Sequence, residues 1–126
     1  MPSRHNPADS IAAIIENAAR IQSYLAVPHR AAFERNDLVR DAVERCLERI
    51  CEAAHRLGET AAILMPDRPW ADIRGMGNRL RHAYDRINLD IIWNTVTARV
   101  PSLGADARAA LRHLEHHQPD GKPPGS

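Results

Sequence analysis

Residues 74–86 read RGMGNRLRHAYDR and favour one amphipathic helix. Apolar residues recur in and around this stretch at steps of three and four, a spacing that places them on one face of a helix. They are Ile73, Met76, Leu80, Ala83 and Ile87. At about 100° per residue, the opposite face collects Gly75, Asn78, His82 and Asp85. The pattern predicts a helix with one buried face and a histidine exposed to solvent or to a second subunit.

Apolar residues at helical spacing recur along most of the chain, and strand patterns are nearly absent. Asn6 is a good cap for a first helix over about 8–26, and Asp37 is a good cap for a longer one that Gly58 either interrupts or kinks. One short turn is expected near 31–34. Three later helices are predicted. The first covers about 69–86, the second begins after its cap Asn88 and ends at Val100-Pro101, and the third covers about 102–116. The sequence therefore predicts an all-α, four- to five-helix up-and-down bundle.

The size of the chain indicates one domain, over residues 1–117, followed by a disordered tail at 118–126 that is rich in Pro and Gly. Its formal net charge is only +1, so the overall charge of the chain does not predict nucleic-acid binding. The local charge is more informative, because residues 74–86 hold four arginines and one acid, Asp85. Arginine offers a planar fork of donors that suits phosphate.

Cys46 and Cys51 are five residues apart on one predicted helix, about 140° around its axis, which is a poor arrangement for a disulfide. We interpret them as small buried residues of a protein in a reducing compartment. The polar start of the chain has no secretory pattern, and no run reaches the roughly 20 apolar residues of a membrane span. The expectation is a cytoplasmic protein.

His82 is the first candidate for chemistry, because a histidine with an ordinary pKa near 6.5 can serve as general acid or base at neutral pH. The competing interpretation is a surface histidine on a solvated helix. Gly75 and Gly77 favour a functional role for His82. Each of these glycines lowers the stability of a helix by about 1 kcal/mol relative to alanine. Such a cost is usually tolerated where a helix, a ligand or a second subunit approaches closely.

A second group of histidines has the spacing of metal ligands on a helix: His113, His116 and His117. We favour the plainer interpretation, a polar helix end where histidines interact well with the negative end of the helix dipole. No metal site is predicted, and no cofactor.

The central block of the chain resembles the core signature of the HepT-like proteins, which belong to the HEPN superfamily of helical ribonuclease toxins. The residues that carry the resemblance are Pro69, Trp70, Ile73, Gly75, Met76, Asn78, Leu80, His82, Tyr84, Asp90 and Trp93. A weaker block, Glu52-Ala53, is similar to a family Gly-Glu-Ala pattern in which Cys51 stands at the glycine. The resemblance spans about residues 8–115.

The resemblance implies a homodimer that cleaves RNA without metal. It also implies a toxin of a toxin–antitoxin module, neutralised by a minimal MntA-like nucleotidyltransferase. By position, His82 would be the catalytic histidine and Asn78 the polar residue next to the catalytic arginine. Tyr84 would be the tyrosine that the partner modifies with AMP.

One position departs from the family motif, which is an arginine, four residues and then the histidine. The arginine position is occupied by Gly77. Arg74 and Arg81 lie about 60° and 40° around the helix from it, so either could supply the guanidinium. Arg79 or an arginine of a second subunit are further sources. The alternative is a catalytically inactive helical dimer that binds the nucleotidyltransferase and is modified by it.

Overall fold

The computed structural model describes residues 6–25, 30–81 and 86–116, with the backbone only at 77–81 and 86–88. These residues form helices joined by short connections and confirm the predicted all-α class. Seven α-helices and one π-helical turn occur in this part of the chain. They are α1 (Pro7–Tyr24), α2 (Arg30–Arg35), α3 (Asp37–Leu57), α4 (Glu59–Leu64), α5 (Trp70–Arg81), α6 (Arg86–Asn94), the π-turn (Thr95–Arg99) and α7 (Val100–His116).

Helix α1 forms the centre of the bundle and packs against both α3 and α7. Its start confirms the sequence prediction, because the Asn6 side chain accepts a hydrogen bond from the Ala8 N–H at 2.9 Å. Pro7 takes the first helical position, where its missing N–H costs nothing. The face that enters the core consists of Ile11, Ile14, Ala18 and Ile21, all fully buried.

Helix α3 corrects one predicted cap. Asn36, and not Asp37, caps it: the Asn36 side chain accepts from the Val39 N–H at 3.1 Å. Asp37 lies in the first turn, where a carboxylate is stabilised by the helix dipole. Gly58 then interrupts the helix with a positive φ of 55°, a conformation that glycine adopts without steric cost. The short helix α4 begins directly after it.

The segment between α4 and α5 confirms the break predicted at Pro66–Pro69. The Trp70 indole donates to the Met65 carbonyl oxygen at 2.9 Å, which closes the segment against the start of α5. Arg68 pairs with Asp106 of α7 at 2.8 Å between Nε and Oδ2. These two contacts fix the point at which α5 enters the bundle.

The chain from α6 to α7 differs from the prediction at two residues. Asn88 lies inside α6 rather than at its cap, and Pro101 lies in the first turn of α7 rather than after a helix end. In a regular helix, the ring of Pro101 would clash with the carbonyl of Thr97. The π-turn before it widens the backbone, with the Val100 N–H donating to the Thr95 carbonyl oxygen five residues back. The helix therefore continues through the proline.

The buried side chains form one hydrophobic core to which α1, α3, α5, α6 and α7 contribute. Leu47 and Ile50 of α3 lie in it next to residues of α1 and α5. Cys46 and Cys51 are both buried and are not joined in a disulfide, as predicted. Within residues 6–25, 30–81 and 86–116, no helix combines the length and the apolar character that crossing a bilayer requires.

Candidate functional site

Helix α5 carries the motif, and α3 holds it in place. Ile73 and Met76 are buried, at 8% and 9% exposure, which confirms the first two positions of the predicted apolar stripe. The Cys51 thiol donates to the Ile73 carbonyl oxygen, with 3.2 Å between Sγ and O. Cys51, which departs from the family pattern, thus links α3 directly to the motif helix.

Three of the predicted site residues share one face of α5. Arg74, Asn78 and Arg81 lie within about 60° of one another around the helix axis, and Arg81 is about 10 Å along it from Arg74. His82 and Tyr84 lie outside the described residues. The backbone of α5 therefore puts the positions of the candidate arginines and the asparagine on one side of the helix.

Arg74 is half-buried and forms no ion pair with any described residue. An arginine without a carboxylate partner keeps its five N–H donors available for an anion. Gly75 follows it, and a methyl group built there would meet nothing within 4 Å among the described atoms. No described helix of the same chain crowds this glycine.

The signature residues Asp90 and Trp93 anchor α6 to α2. The Arg30 guanidinium pairs with Asp90 and, at 2.7 Å, with Glu34. The rings of Phe33 and Trp93 lie 5.3 Å apart between centroids at a tilt of 43°. The sequence pattern did not indicate Arg30 or Phe33, because contacts between distant helices leave no periodic signal.

A cavity of about 400 Å³ lies beside α5, between α3 and the continuous helix of α6, the π-turn and α7. Its apolar wall includes Leu47, Ile50, Ile73, Met76, Val100 and Leu103. Its polar lining consists of Arg68, Asp72, Asn94, Thr95 and Arg99. No feature of the sequence predicted this cavity, which depends on residues from five separate elements and from the segment before α5.

The histidines of α7 form no metal cluster with the described residues, among which no three His, Cys, Asp or Glu side chains lie close enough to hold an ion. His116 instead makes a local hydrogen bond between its Nδ1 and the Arg112 carbonyl oxygen at 2.7 Å. His113 and His116 are both exposed, and His117 lies outside the described residues.

Comparison with known proteins identifies the family. The model of the family described as ribonuclease HepT-like matches residues 14–110, which include all of α3 and α5 and most of α1 and α7. The chain belongs to this family. The predicted HepT-like resemblance is thereby confirmed, and the match covers the whole face of α5 described above.

Individual relatives of this HepT-like chain carry ribonuclease names. It is 33% identical over 102 residues to "Putative RNase MJ0127" of Methanocaldococcus jannaschii, a match that covers 81% of this chain and 84% of that protein. It is 37% identical over 62 residues to "Probable ribonuclease HepT" of Thermococcus cleftensis. That second match covers 49% of this chain and a little over half, 56%, of the relative. No solved structure is significantly similar to the chain.

Proposed function

We propose that this HepT-like protein is a metal-independent endoribonuclease. Family membership carries the proposal, together with the common α5 face of Arg74, Asn78 and Arg81. Relatives named as ribonucleases support the choice of RNA as substrate. Arg74 supports it further, because this cation has no carboxylate partner among the described residues and remains available to a phosphate.

In the proposed mechanism, His82 takes the proton from a ribose 2′-hydroxyl or donates one to the leaving 5′-oxygen. The 2′-oxygen attacks the adjacent phosphorus, the bond from phosphorus to the 5′-oxygen breaks, and that oxygen leaves as a hydroxyl. The products carry a 2′,3′-cyclic phosphate and a 5′-hydroxyl. Arg74 or Arg81 stabilises the charge that develops on the phosphate, and Asn78 holds the phosphate or the imidazole.

The test is incubation of the purified protein with tRNA in excess chelator, followed by analysis of the product ends. We expect cleavage by the unmodified protein, cyclic phosphate ends, and a loss of at least about 100-fold in His82→Ala. His116→Ala is the matched control, because His116 is an exposed histidine at the far end of α7. Equal activity of the unmodified protein and His82→Ala, or a strict need for metal, would refute the mechanism.

The two arginine candidates are separated by single substitutions. Arg74→Ala and Arg81→Ala are compared with Arg56→Ala, an exposed arginine of α3. The arginine that replaces the one missing at Gly77 should lower kcat about 100-fold when removed, since it acts on charge formed in the transition state. If neither substitution lowers kcat, the guanidinium comes from elsewhere in the assembly.

The proposal extends to a biological role as a toxin that a cognate minimal nucleotidyltransferase neutralises by transferring AMP to Tyr84. The active form is a homodimer in which two α5 faces line one cleft for RNA. The open space at Gly75 supports a second subunit on this face. Co-expression with such a partner should add about 329 Da per AMP, from its covalent formula, and Tyr84→Phe should abolish the addition.

The second candidate is a catalytically inactive dimer that binds the nucleotidyltransferase. Gly77 favours it, because the motif arginine is missing there. Under this alternative, expression leaves growth unchanged, partner binding is intact, and Gly77→Arg produces ribonuclease activity. Activity in the unmodified protein excludes it.

A further inference from the structure

The cavity beside α5 has the size and the lining of a ligand site. Its volume of about 400 Å³ falls within the range of about 300–1,000 Å³ that is usual for small-molecule pockets. An apolar wall with a few polar groups at one side is the usual composition of such pockets. Met76 contributes a thioether to the wall, and sulfur makes favourable contacts with aromatic rings.

The polar side of the cavity carries two arginines, Arg68 and Arg99, and one carboxylate, Asp72. Arg99 lies exposed at the end of the π-turn and forms no ion pair with any described residue. Arg68 is mostly buried, with its side chain 16% exposed, and its Nε–H donates to Asp106. A guanidinium has five N–H donors, so the bond from Nε to Asp106 uses only one of those that Arg68 offers.

Asn94 provides the group that can recognise a base edge. It is exposed, it lines the cavity directly before the π-turn, and its amide offers both donors and an acceptor. The π-turn brings Asn94, Thr95 and Arg99 to the same cavity, although they span more than one turn of helix. π-Helical turns occur frequently at functional sites.

We propose that this cavity binds one nucleotide of the RNA strand, with its base against the apolar wall and its phosphate at Arg99. This inference rests on the proposed ribonuclease function for its choice of RNA. The cavity shares Ile73 and Met76 with α5, so a nucleotide in it lies against the buried face of the motif helix and not on the face that carries Arg74. Proteins that read single-stranded RNA usually contact unstacked bases, which are splayed out and hydrogen-bonded on their edges.

The test uses three probes on the full chain: AMP, adenosine and ribose 5-phosphate. Binding is followed by calorimetry and by backbone amide shifts in NMR spectra. We expect AMP to bind about tenfold more tightly than either adenosine or ribose 5-phosphate, because only AMP fills both the apolar wall and the cationic side. The largest amide shifts are expected at Asn94, Arg99 and Val100.

Two variants examine the polar groups. Arg99→Ala should weaken AMP binding about tenfold and leave adenosine binding unchanged, since it removes only the phosphate partner. Asn94→Ala should weaken adenosine and AMP alike. Arg56→Ala removes the same charge on α3, away from the cavity, and should change neither. Unchanged circular dichroism in all three shows that the fold is intact.

The outcomes separate this inference from the proposed function. Binding of AMP that depends on Arg99, in a protein that cleaves no RNA, supports the site and refutes the ribonuclease. RNA cleavage with an unchanged KM in Arg99→Ala, and no AMP shifts at the cavity, refutes the site alone. If Arg99→Ala instead changes the sedimentation of the protein and AMP does not bind, the cavity is an interface between copies and the inference is overturned.

Discussion

Gly104 of α7 lies directly against Ala18 of α1. A methyl group built at Gly104 would come within 3.2 Å of the Ala18 Cβ and 3.6 Å of Arg108 Nη1. Ala18 is fully buried, and its Cβ moves only with the backbone of α1. The absence of a side chain at Gly104 therefore lets α7 approach the central helix closely. Gly75 on α5 has open space around it, so the effects of alanine at the two positions can be compared.

The same substitution should have opposite effects at these two glycines. Gly75→Ala should raise the free energy of unfolding by about 1 kcal/mol, because alanine is the better helix former and its methyl meets no described atom. Gly104→Ala should lower it by about 1 kcal/mol, because crowding against Ala18 outweighs the same gain. Urea unfolding of the two variants measures both. A stabilising Gly104→Ala would show that α1 and α7 separate easily.

The contact between α2 and α6 should depend on the aromatic pair rather than on the ion pairs. Phe33 is 3% exposed against Trp93, and Phe33→Ala should cost about 3 kcal/mol of unfolding free energy. Arg30→Ala should cost less than about 1 kcal/mol, since its pairs with Glu34 and Asp90 are partly exposed.

Tryptophan fluorescence and urea unfolding measure this difference, with Phe33→Leu as the milder variant if Phe33→Ala fails to fold. The emission of Trp93 should shift in the Phe33 variants, whereas a Trp93→Phe background removes that signal and retains Trp70. Equal costs for the arginine and phenylalanine substitutions would contradict the prediction.

Both cysteines should be unreactive in the folded protein. Cys46 and Cys51 are 1% and 4% exposed, and burial raises the pKa of the Cys46 thiol, which lowers the thiolate fraction further. Iodoacetamide at pH 7.5 should label neither until guanidinium unfolds the chain, and mass spectrometry counts the adducts. Rapid labelling of native protein at either site would show that α3 opens locally.

Glu44 should make the stability of the protein depend on pH. Its pKa is raised, first by burial and then by repulsion from Asp41 and Glu48, against the attraction of Arg40. A carboxyl group with a raised folded-state pKa stabilises the fold below its unfolded pKa, and this contribution is lost as the pH rises through the folded value.

Glu44→Gln stays neutral at every pH, so it should unfold at a higher temperature than the unmodified protein at pH 7. The difference should disappear below about pH 4, where the native glutamate is protonated as well. Glu52→Gln, an exposed position on the same helix, is the matched control. A Glu44→Gln variant that is less stable at pH 7 would contradict the prediction.

Asn17 is a polar side chain that costs stability. It is 5% exposed, its Nδ2 donates to the Ala13 carbonyl oxygen at 2.8 Å, and its buried Oδ1 has no hydrogen-bond partner among the described residues. Asn17→Leu should raise the free energy of unfolding by about 1 kcal/mol, because it removes a buried acceptor with no hydrogen bond. The unfolding temperature of Asn17→Leu tests this prediction. A large decrease would contradict it and would indicate that Oδ1 has a hydrogen-bond partner.

The sequence by itself determined the all-α class, the caps and breaks at Asn6 and Pro66–Pro69, the buried thiols and the family. These properties depend on residues that are close together in the chain. The spacing of such residues indicates directly which face of a helix is apolar. The prediction was wrong where a local rule was applied alone. Asn36, and not Asp37, caps α3. The helix does not end at Pro101, because the π-turn before it makes room for the proline ring.

Only the tertiary structure decided which distant residues meet. The cavity between α5 and the π-turn, the Arg30–Asp90 pair and the approach of Gly104 to Ala18 each join elements that are far apart in the chain. Periodicity specifies the face of a helix that is buried, but not the helix that covers it, because many packings bury the same apolar area. The register between helices depends on side-chain shape, and shape acts only when the chain is folded.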